Sequence, residues 1–348
     1  MKTGLSNGEI AELLAQEAEG HEGIRQRAFK KAARGAFLWP EHASELFAKG
    51  RSLLELKGVG PFIAQRLLVW MEKPPARISP PPIRRDFLAL ADARTLLSAN
   101  PSWMKSLRGD LQMHTQWSDG SGSTGEMAAA GEERGYEYIA ITDHSKGLKI
   151  ARGIDERALA EQGEEIAAVN ASIKASGGKI TILRSIEMNL SPRGEGDMEP
   201  ERLRQLDLVL GSFHSSLRRT EDQTERYLSA IRNPDVHVIG HPRGRIYNFR
   251  LGLTADWTRV FAEAARLDRA VEIDSYPDRQ DINLALLRIA RGEGVRISLG
   301  TDAHHPWQFS FIEFGLAAAL KAKIPPDRII NFLPLAELRR WITGLRKN

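Results

Sequence analysis

The strongest constraint in this 348-residue chain is a repeated unit. A short apolar run ends on or beside a histidine or carboxylate, and a helical pattern follows. The runs lie at 111–114, 138–142, 180–186, 208–213, 236–240, 270–273 and 295–300. Helical periodicity fills 126–134, 155–172, 222–232, 255–267 and 283–292 between them. Strands that alternate with helices pair in parallel, and seven such units predict an α/β sheet closed as a barrel. No Gly-x-Gly-x-x-Gly turn follows an early strand, which argues against an open doubly wound sheet.

The residues at the run ends are Gln112, His114 and Asp119, then His144, Glu187, His214, His241, and finally Asp302 and His304. Five of the nine histidines are among them. Side chains at strand ends converge when strands close into a barrel, so these distant positions are expected to build one site. The chain has no cysteine, so any metal must be held by nitrogen and oxygen, a donor set that suits Zn2+, Mn2+ or Fe2+. Nine positions exceed the needs of one tetrahedral ion and point to two or three divalent ions sharing a carboxylate. Such a cluster clamps a phosphoryl oxygen, lowers the pKa of water and stabilises a leaving oxygen. Gln112 stands where a further imidazole is expected. His21, His42, His237 and His305 lack the placement and read as surface or structural residues. Arg152, Arg243, Arg245 and Arg279 sit beside run ends, where a guanidinium is suited to bidentate phosphate contact. Asp274 follows the sixth run and reads equally well as a ligand-orienting group or a direct contact.

The first part of the chain differs. Residues 5–72 read as short helices, with apolar stripes at Leu5, Ile10, Leu13, Leu14 and at Phe29, Ala32, Ala33, Phe37. Gly58-Val59-Gly60 then separates two apolar helical segments in a helix-hairpin-helix pattern. A turn of this kind brings backbone N–H groups and a helix N-terminus to the surface, where they hold phosphate. Residues 1–109 carry 17 Lys and Arg against 11 Asp and Glu, an excess that suits a polyanion as well as a solvated face. Residues 74–86, with Pro74, Pro75, Ile78, Pro80, Pro81 and Pro82, read as a stiff basic linker, and 87–106 as one helix with an approach segment. Three segments follow: a helical DNA-binding unit at 1–73, a linker and helix at 74–108, and the barrel at 109–348. No apolar stretch approaches the ~20 residues of a membrane span. A cytoplasmic location is the default expectation.

Gly109-Asp110-Leu111-Gln112-Met113-His114-Thr115-Gln116-Trp117-Ser118-Asp119-Gly120 resembles the first motif of the PHP (polymerase and histidinol phosphatase) superfamily. Ile141-Thr142-Asp143-His144-Ser145 resembles the second. Ser212-Phe213-His214-Ser215, Ile239-Gly240-His241-Pro242 and Gly300-Thr301-Asp302-Ala303-His304 are similar to later ones. The resemblance implies a distorted seven-stranded (β/α) barrel with a trinuclear metal site. By that likeness Gln112, His114, Glu187 and Asp302 hold one ion, and Glu187 bridges to a second ion on His214 and His241. Asp119, His144 and His304 hold the third, and His144, Glu187, Asp302 and His304 are the catalytic candidates.

In wording, 109–340 is similar to the PHP domain of bacterial family X DNA polymerases, and 7–72 to their helix-hairpin-helix domain, including Phe29-Lys30-Lys31-Ala32-Ala33-Arg34. The roughly 35 residues between are too few for a polymerase palm. Nucleotide addition is not expected. Lysines that follow the hairpin in lyase-active relatives are replaced by Phe62 and Arg66, and a guanidinium forms no Schiff base. The DNA-contact candidates are Lys30, Lys31, Arg34, Gly58, Gly60 and Arg66. The resemblance implies metal-dependent hydrolysis of DNA phosphodiesters or 3′-end phosphates in repair. A small-molecule phosphatase and a non-catalytic DNA-binding module with a decayed metal site are the alternatives. Oligomeric state is not readable.

Overall fold

The computed structural model describes residues 4–76 and 79–346, so Ile78 of the expected linker lies outside the described residues. The chain opens with α1 (Asn7–Glu19), α2 (Gly23–Ala36), α3 (Ala43–Ala48) and α4 (Pro61–Glu72). Ser6 and Glu9 form a reciprocal capping box at the start of α1, which satisfies otherwise orphaned amides. These helices enclose their own core of Ile10, Leu14, Phe29, Trp39, Leu46 and Leu67.

The segment expected as a linker is tied into both parts of the molecule. Arg84 is buried and donates to Glu12 at 2.8 and 2.9 Å, to Glu19 at 2.6 Å and to Asn248 of the barrel at 3.1 Å. Phe37, Phe87 and Tyr247 form an aromatic cluster with centroids 4.9–6.1 Å apart, joining helices, strap and barrel. The expected single helix at 87–106 is two, α5 (Leu90–Ser98) and α6 (Pro101–Ser106). Pro101 is the reason, because its ring bars the preceding residue from helical geometry.

Seven parallel strands follow in sequential order: β1 (Gly109–Asp110), β2 (Tyr138–Ile141), β3 (Thr181–Asn189), β4 (Leu208–Ser212), β5 (Val238–Ile239), β6 (Ala270–Asp274) and β7 (Arg296–Gly300). The connecting helices are α7 (Thr124–Glu133), α8 (Glu156–Ala175), α9 (Pro200–Leu203), α10 (Thr224–Arg232), α11 (Trp257–Arg266), α12 (Leu284–Glu293) and α13 (Ile312–Lys321). α14 (Leu335–Leu345) closes the chain. This is the distorted (β/α)7 barrel expected.

The expected strand at 111–114 is a correction. β1 ends at Asp110, and 111–114 runs on as the seam that meets β7: His114 N donates to Ala303 O at 2.8 Å, and Asp302 N to Gln112 O at 3.1 Å. Four of the candidate ligands therefore sit where the barrel closes. Leu183, Leu208, Leu210, Val238 and Ala270 fill the lower interior together with Leu338, Trp341 and Ile342 of α14, which plugs the bottom. Strand side chains alternate faces, so the inward register of Leu183 passes to Ser185 and Glu187, and that of Ala270 to Glu272 and Asp274. The interior turns from apolar to ionisable within two residues. No helix among the described residues is long and apolar enough to cross a membrane.

Candidate metal centre

Eight of the nine expected ligand positions converge above the barrel. Glu187, fully buried, lies at their middle, with His241 Nε2 2.7 Å, His144 Nδ1 3.0 Å, His214 Nε2 3.3 Å and His114 Nε2 3.5 Å from its oxygens. Neither Glu187 oxygen accepts a hydrogen bond of proper geometry from these rings. Imidazoles crowded around a carboxylate without such bonds fit shared coordination of cations better than mutual hydrogen bonding. On the other side of the centre, Asp119 Oδ1 faces His304 Nε2 at 3.3 Å and His144 Nε2 at 3.6 Å. Asp302 Oδ1 is 3.0 Å from His114 Nε2.

Two groups of donor atoms lie within 4.8 Å of one another: His114, Asp119, His144 and His304, and separately His144, Glu187 and His214. His144 belongs to both, whereas family likeness places it on one ion only. The donor set suits divalent metal. His114 stacks between His144 and His304 at centroid distances of 4.3 and 4.4 Å, which fixes all three rings.

The ninth position departs. With its nitrogen facing Glu272, the Gln112 carboxamide donates to both carboxylate oxygens, at 2.5 and 2.8 Å. Glu272 also accepts the backbone N–H of His241 at 2.7 Å. Gln112 is thereby held through its nitrogen to a buried acid of β6.

The carboxylates divide by their surroundings. Burial opposes charge on Glu187, yet His144, His241 and His214 hold it well below the usual glutamate value. Burial likewise opposes charge on Asp119, and His304 and its neighbours still bring it down to about 2. Glu272 and Asp274 are raised well above their ordinary values by burial and by nearby carboxylates. Burial disfavours charge on Arg279 too, but Asp302, Asp274 and Glu187 hold its guanidinium above the usual value.

Local structure explains several ligand positions. Asp143 is buried and accepts from Thr115 N and Oγ1 at 2.8 and 2.6 Å, from Ser118 Oγ at 2.5 Å and from Gln162 at 2.6 Å, which folds the loop presenting Asp119. A Cβ at Gly120 would lie 2.4 Å from His114 O, so only glycine lets that loop pass. His241 and Asp302 hold positive φ of 22° and 53°, strained values that persist only where surrounding structure enforces them. His214 Nδ1 lies 3.1 Å from Asn189 Oδ1. Glu272, Asp110, Asp143 and Asn189 received no role from the sequence, although Asp110 and Glu272 are legible as inward positions two residues from a named one.

The four candidate arginines occupy different settings. Arg245 is buried, donates to the carbonyls of Arg85 and Asp86 at 3.1 and 3.2 Å and lies 3.7 Å over the Phe87 ring, so it joins the strap to the barrel. Arg243 donates to the carbonyls of Leu253 and Leu251 at 3.2 and 2.9 Å and holds its own loop. Each guanidinium thus gives part of its donors to backbone carbonyls. Arg279 lies at the centre, 3.3 Å from Asp302 Oδ2 and 3.7 Å from Asp274 Oδ2. Arg152 is exposed on the loop after His144. Of the expected DNA contacts, Lys30, Lys31, Arg34, Gly58 and Gly60 are exposed, while Arg66 pairs with Glu17 and packs 5.4 Å over Trp70.

The model of the PHP domain family matches residues 110–238. The barrel is a PHP domain. The enzyme class goes with it, a metal-dependent phosphoric ester hydrolase. DNA polymerase/3′-5′ exonuclease PolX of Bacillus subtilis is 34% identical over 237 residues, 68% of this chain and 41% of that protein. The chain thus spans about two-fifths of the length of that relative. Probable phosphatase YcdX of Escherichia coli is 26% identical over 232 residues, 65% of this chain and 90% of that one. Histidinol phosphate phosphatase of Lactococcus lactis, solved with zinc, L-histidinol and phosphate, overlays with a TM-score of 0.44 at 19% identity, covering 62% of this chain and 93% of that one.

Proposed function

We propose that this chain hydrolyses phosphoric esters at DNA ends, as a 3′–5′ exonuclease or 3′-end-processing enzyme of repair, using two or three divalent ions. The observation that carries the reading is the seating of the helical unit beside the PHP centre. Lys57, at the entry to the Gly58–Gly60 turn, lies 5.4 Å over the ring of Trp307, three residues beyond His304. A Cβ at Gly58 or Gly60 would meet nothing within 4 Å, so the backbone of that turn is open to a phosphate. A small monoester needs no such unit. The likeness to PolX supports the same substrate.

The chemistry follows from the side chains. Bound divalent ions supply Lewis-acid activation of water and neutralise charge on the phosphoryl group. Glu187, His214 and His241 would hold them on one side, with His114, Asp119, His144, Asp302 and His304 on the other. Arg279 keeps Asp302 ionised and oriented, and Asn189 turns His214. The buried acids Glu272 and Asp274 keep the backbone of His241 and of the 274–281 loop in register through bonds to His241 N and Tyr276 N, at 2.7 Å each. Preorganisation of this kind removes reorganisation from the barrier.

The test is a nuclease assay on 5′-labelled single strands beside a phosphomonoester assay, each with Mn2+, Zn2+ and Mg2+. Stepwise shortening from the 3′ end is the expected result. Monoester turnover with intact DNA would instead support a small-molecule phosphatase, the reading favoured by the 90% coverage of the YcdX relative.

A further inference from the structure

The loop that follows β3 holds none of the expected site residues, yet it is fastened to the metal centre. Leu190 pairs with Gly196 across this loop, and Asp197 comes next in the chain. The Asp197 carboxylate reaches the loop after β2, where it accepts from the Ser145 hydroxyl at 2.7 and 2.9 Å and from Gly147 N at 2.6 Å. Ser145 is fully buried and adjoins His144. Its hydroxyl hydrogen goes to Asp197, which leaves its lone pairs to accept Asn189 N at 2.7 Å. Asn189 in turn presents Oδ1 to His214 Nδ1 at 3.1 Å. A line of hydrogen bonds thus runs from Asp197 through Ser145 and Asn189 to a candidate metal ligand.

The surrounding backbone is shaped to this line. A Cβ at Gly147 would lie 2.4 Å from Asp197 Oδ2 and 2.7 Å from Asn189 Nδ2, so both side chains close on a position that only glycine can fill. Ser145 N donates to Glu187 O at 3.1 Å, which ties the same residue to the backbone of the central carboxylate. The chemistry at the far end is specific. An amide oxygen only accepts, so the proton of a neutral His214 ring lies on Nδ1. Nε2 then turns a lone pair on the centre, 3.3 Å from Glu187 Oε1. The other tautomer would put a hydrogen where a cation has to bind.

We infer that Asp197 is a positioning residue of the metal centre: through Ser145 and Asn189 it fixes the tautomer and the angle of His214 toward an ion shared with Glu187. Among the described residues, no hydrogen bond or ion pair joins Asp197 to a candidate ligand, so its influence passes through the two residues between. The inference rests on the metal-centre reading and is independent of the substrate.

The test is calorimetric titration of the full chain with Zn2+, beside the melting temperature of the metal-free chain in EDTA. Outer groups that orient a ligating histidine are worth about 10–100-fold in metal affinity. Asp197→Ala and Asn189→Ala are each expected to weaken one Zn2+ step by about 10–100-fold and to leave any other step unchanged. The double variant should bind no more weakly than the weaker single, because both changes cut the same line. Should Asp197→Ala fail to fold, Gly147→Ala, which displaces the carboxylate without removing it, is expected to weaken the same step. Wild-type affinity in the variants would overturn the inference, and so would losses that add in the double variant. Uniform weakening of every step with a lower metal-free melting temperature would also overturn it, as the mark of a merely structural loop. If wild type takes up no Zn2+, the metal-centre reading falls too; if wild type binds and the variants match it, only the role of Asp197 falls.

Discussion

The carboxamide of Gln112 grips both oxygens of Glu272, a fully buried acid 160 positions away in the chain. The pair occupies the seam of the barrel, and it explains how an amide is accommodated where an imidazole is expected. Removing one partner leaves the other buried and unsatisfied. Gln112→Ala is therefore expected to cost about 2–3 kcal/mol in urea unfolding. Glu272→Ala combined with it should cost less than the sum of the two singles. Additive single costs would show that the contact is not a coupled pair.

Metal stoichiometry gives a second check on the same position. The Gln112 nitrogen is held by Glu272 and a neutral amide oxygen is a weaker metal ligand than imidazole, so the wild-type chain is expected to retain fewer than three ions after dialysis. Gln112→His should raise the number bound per chain, counted by plasma mass spectrometry. An unchanged count in a folded Gln112→His protein would show that the position does not limit occupancy.

His144 takes part in both donor groups. Residues that merely support metal ligands cost about 10–100-fold when removed, so loss of a shared ligand is expected to cost on the order of 100-fold or more. His144→Ala should reduce both phosphoesterase rate and metal content while leaving the circular dichroism unchanged. Full activity with full metal content would exclude His144 from the centre.

Arg84 is ion-paired with Glu12 and Glu19 of the helical unit and hydrogen-bonded to Asn248 of the barrel. Its replacement strands Glu12, itself buried, without a counter-charge. Arg84→Met is expected to destabilise by about 3–5 kcal/mol, and Glu12→Gln on that background to recover part of the loss. Unfolding midpoints in urea provide the measurement. No recovery in the double variant would mean that the ion pair is not the source.

His237 sets a pH dependence remote from the donor cluster. Its ring is buried, Nδ1 accepts from Val209 N at 3.1 Å, and burial with Arg346 and Arg269 nearby lowers its pKa to about 3. The folded state thus refuses a proton that the unfolded imidazole takes up below about pH 6.5. The stability present above that value is lost as pH falls toward about 3, by about 2 kcal/mol at pH 5. His237→Gln removes this term. The stability gap between wild type and variant should narrow by that amount between pH 7.5 and 5, and an equal gap at both values would refute it.

The sequence by itself determined the barrel and most of its centre. Alternating runs and helical patterns define parallel strands, and strand ends must converge, so Glu187, His214 and His241 were legible without coordinates. Helix starts were legible for a local reason too, as Ser123 and Glu126 show by capping α7 reciprocally. Tertiary structure alone decided which donors share a site, because His144 reaches Glu187 only through the pairing of β2 with β3. It also decided what the arginines do: Arg243 and Arg245 meet carbonyls, and no local pattern reports where a long side chain finds its acceptor. Glu272 was hidden for the same reason. Its partner Gln112 meets it only when the barrel closes, and burial, which makes that contact matter, is a property of the closed barrel.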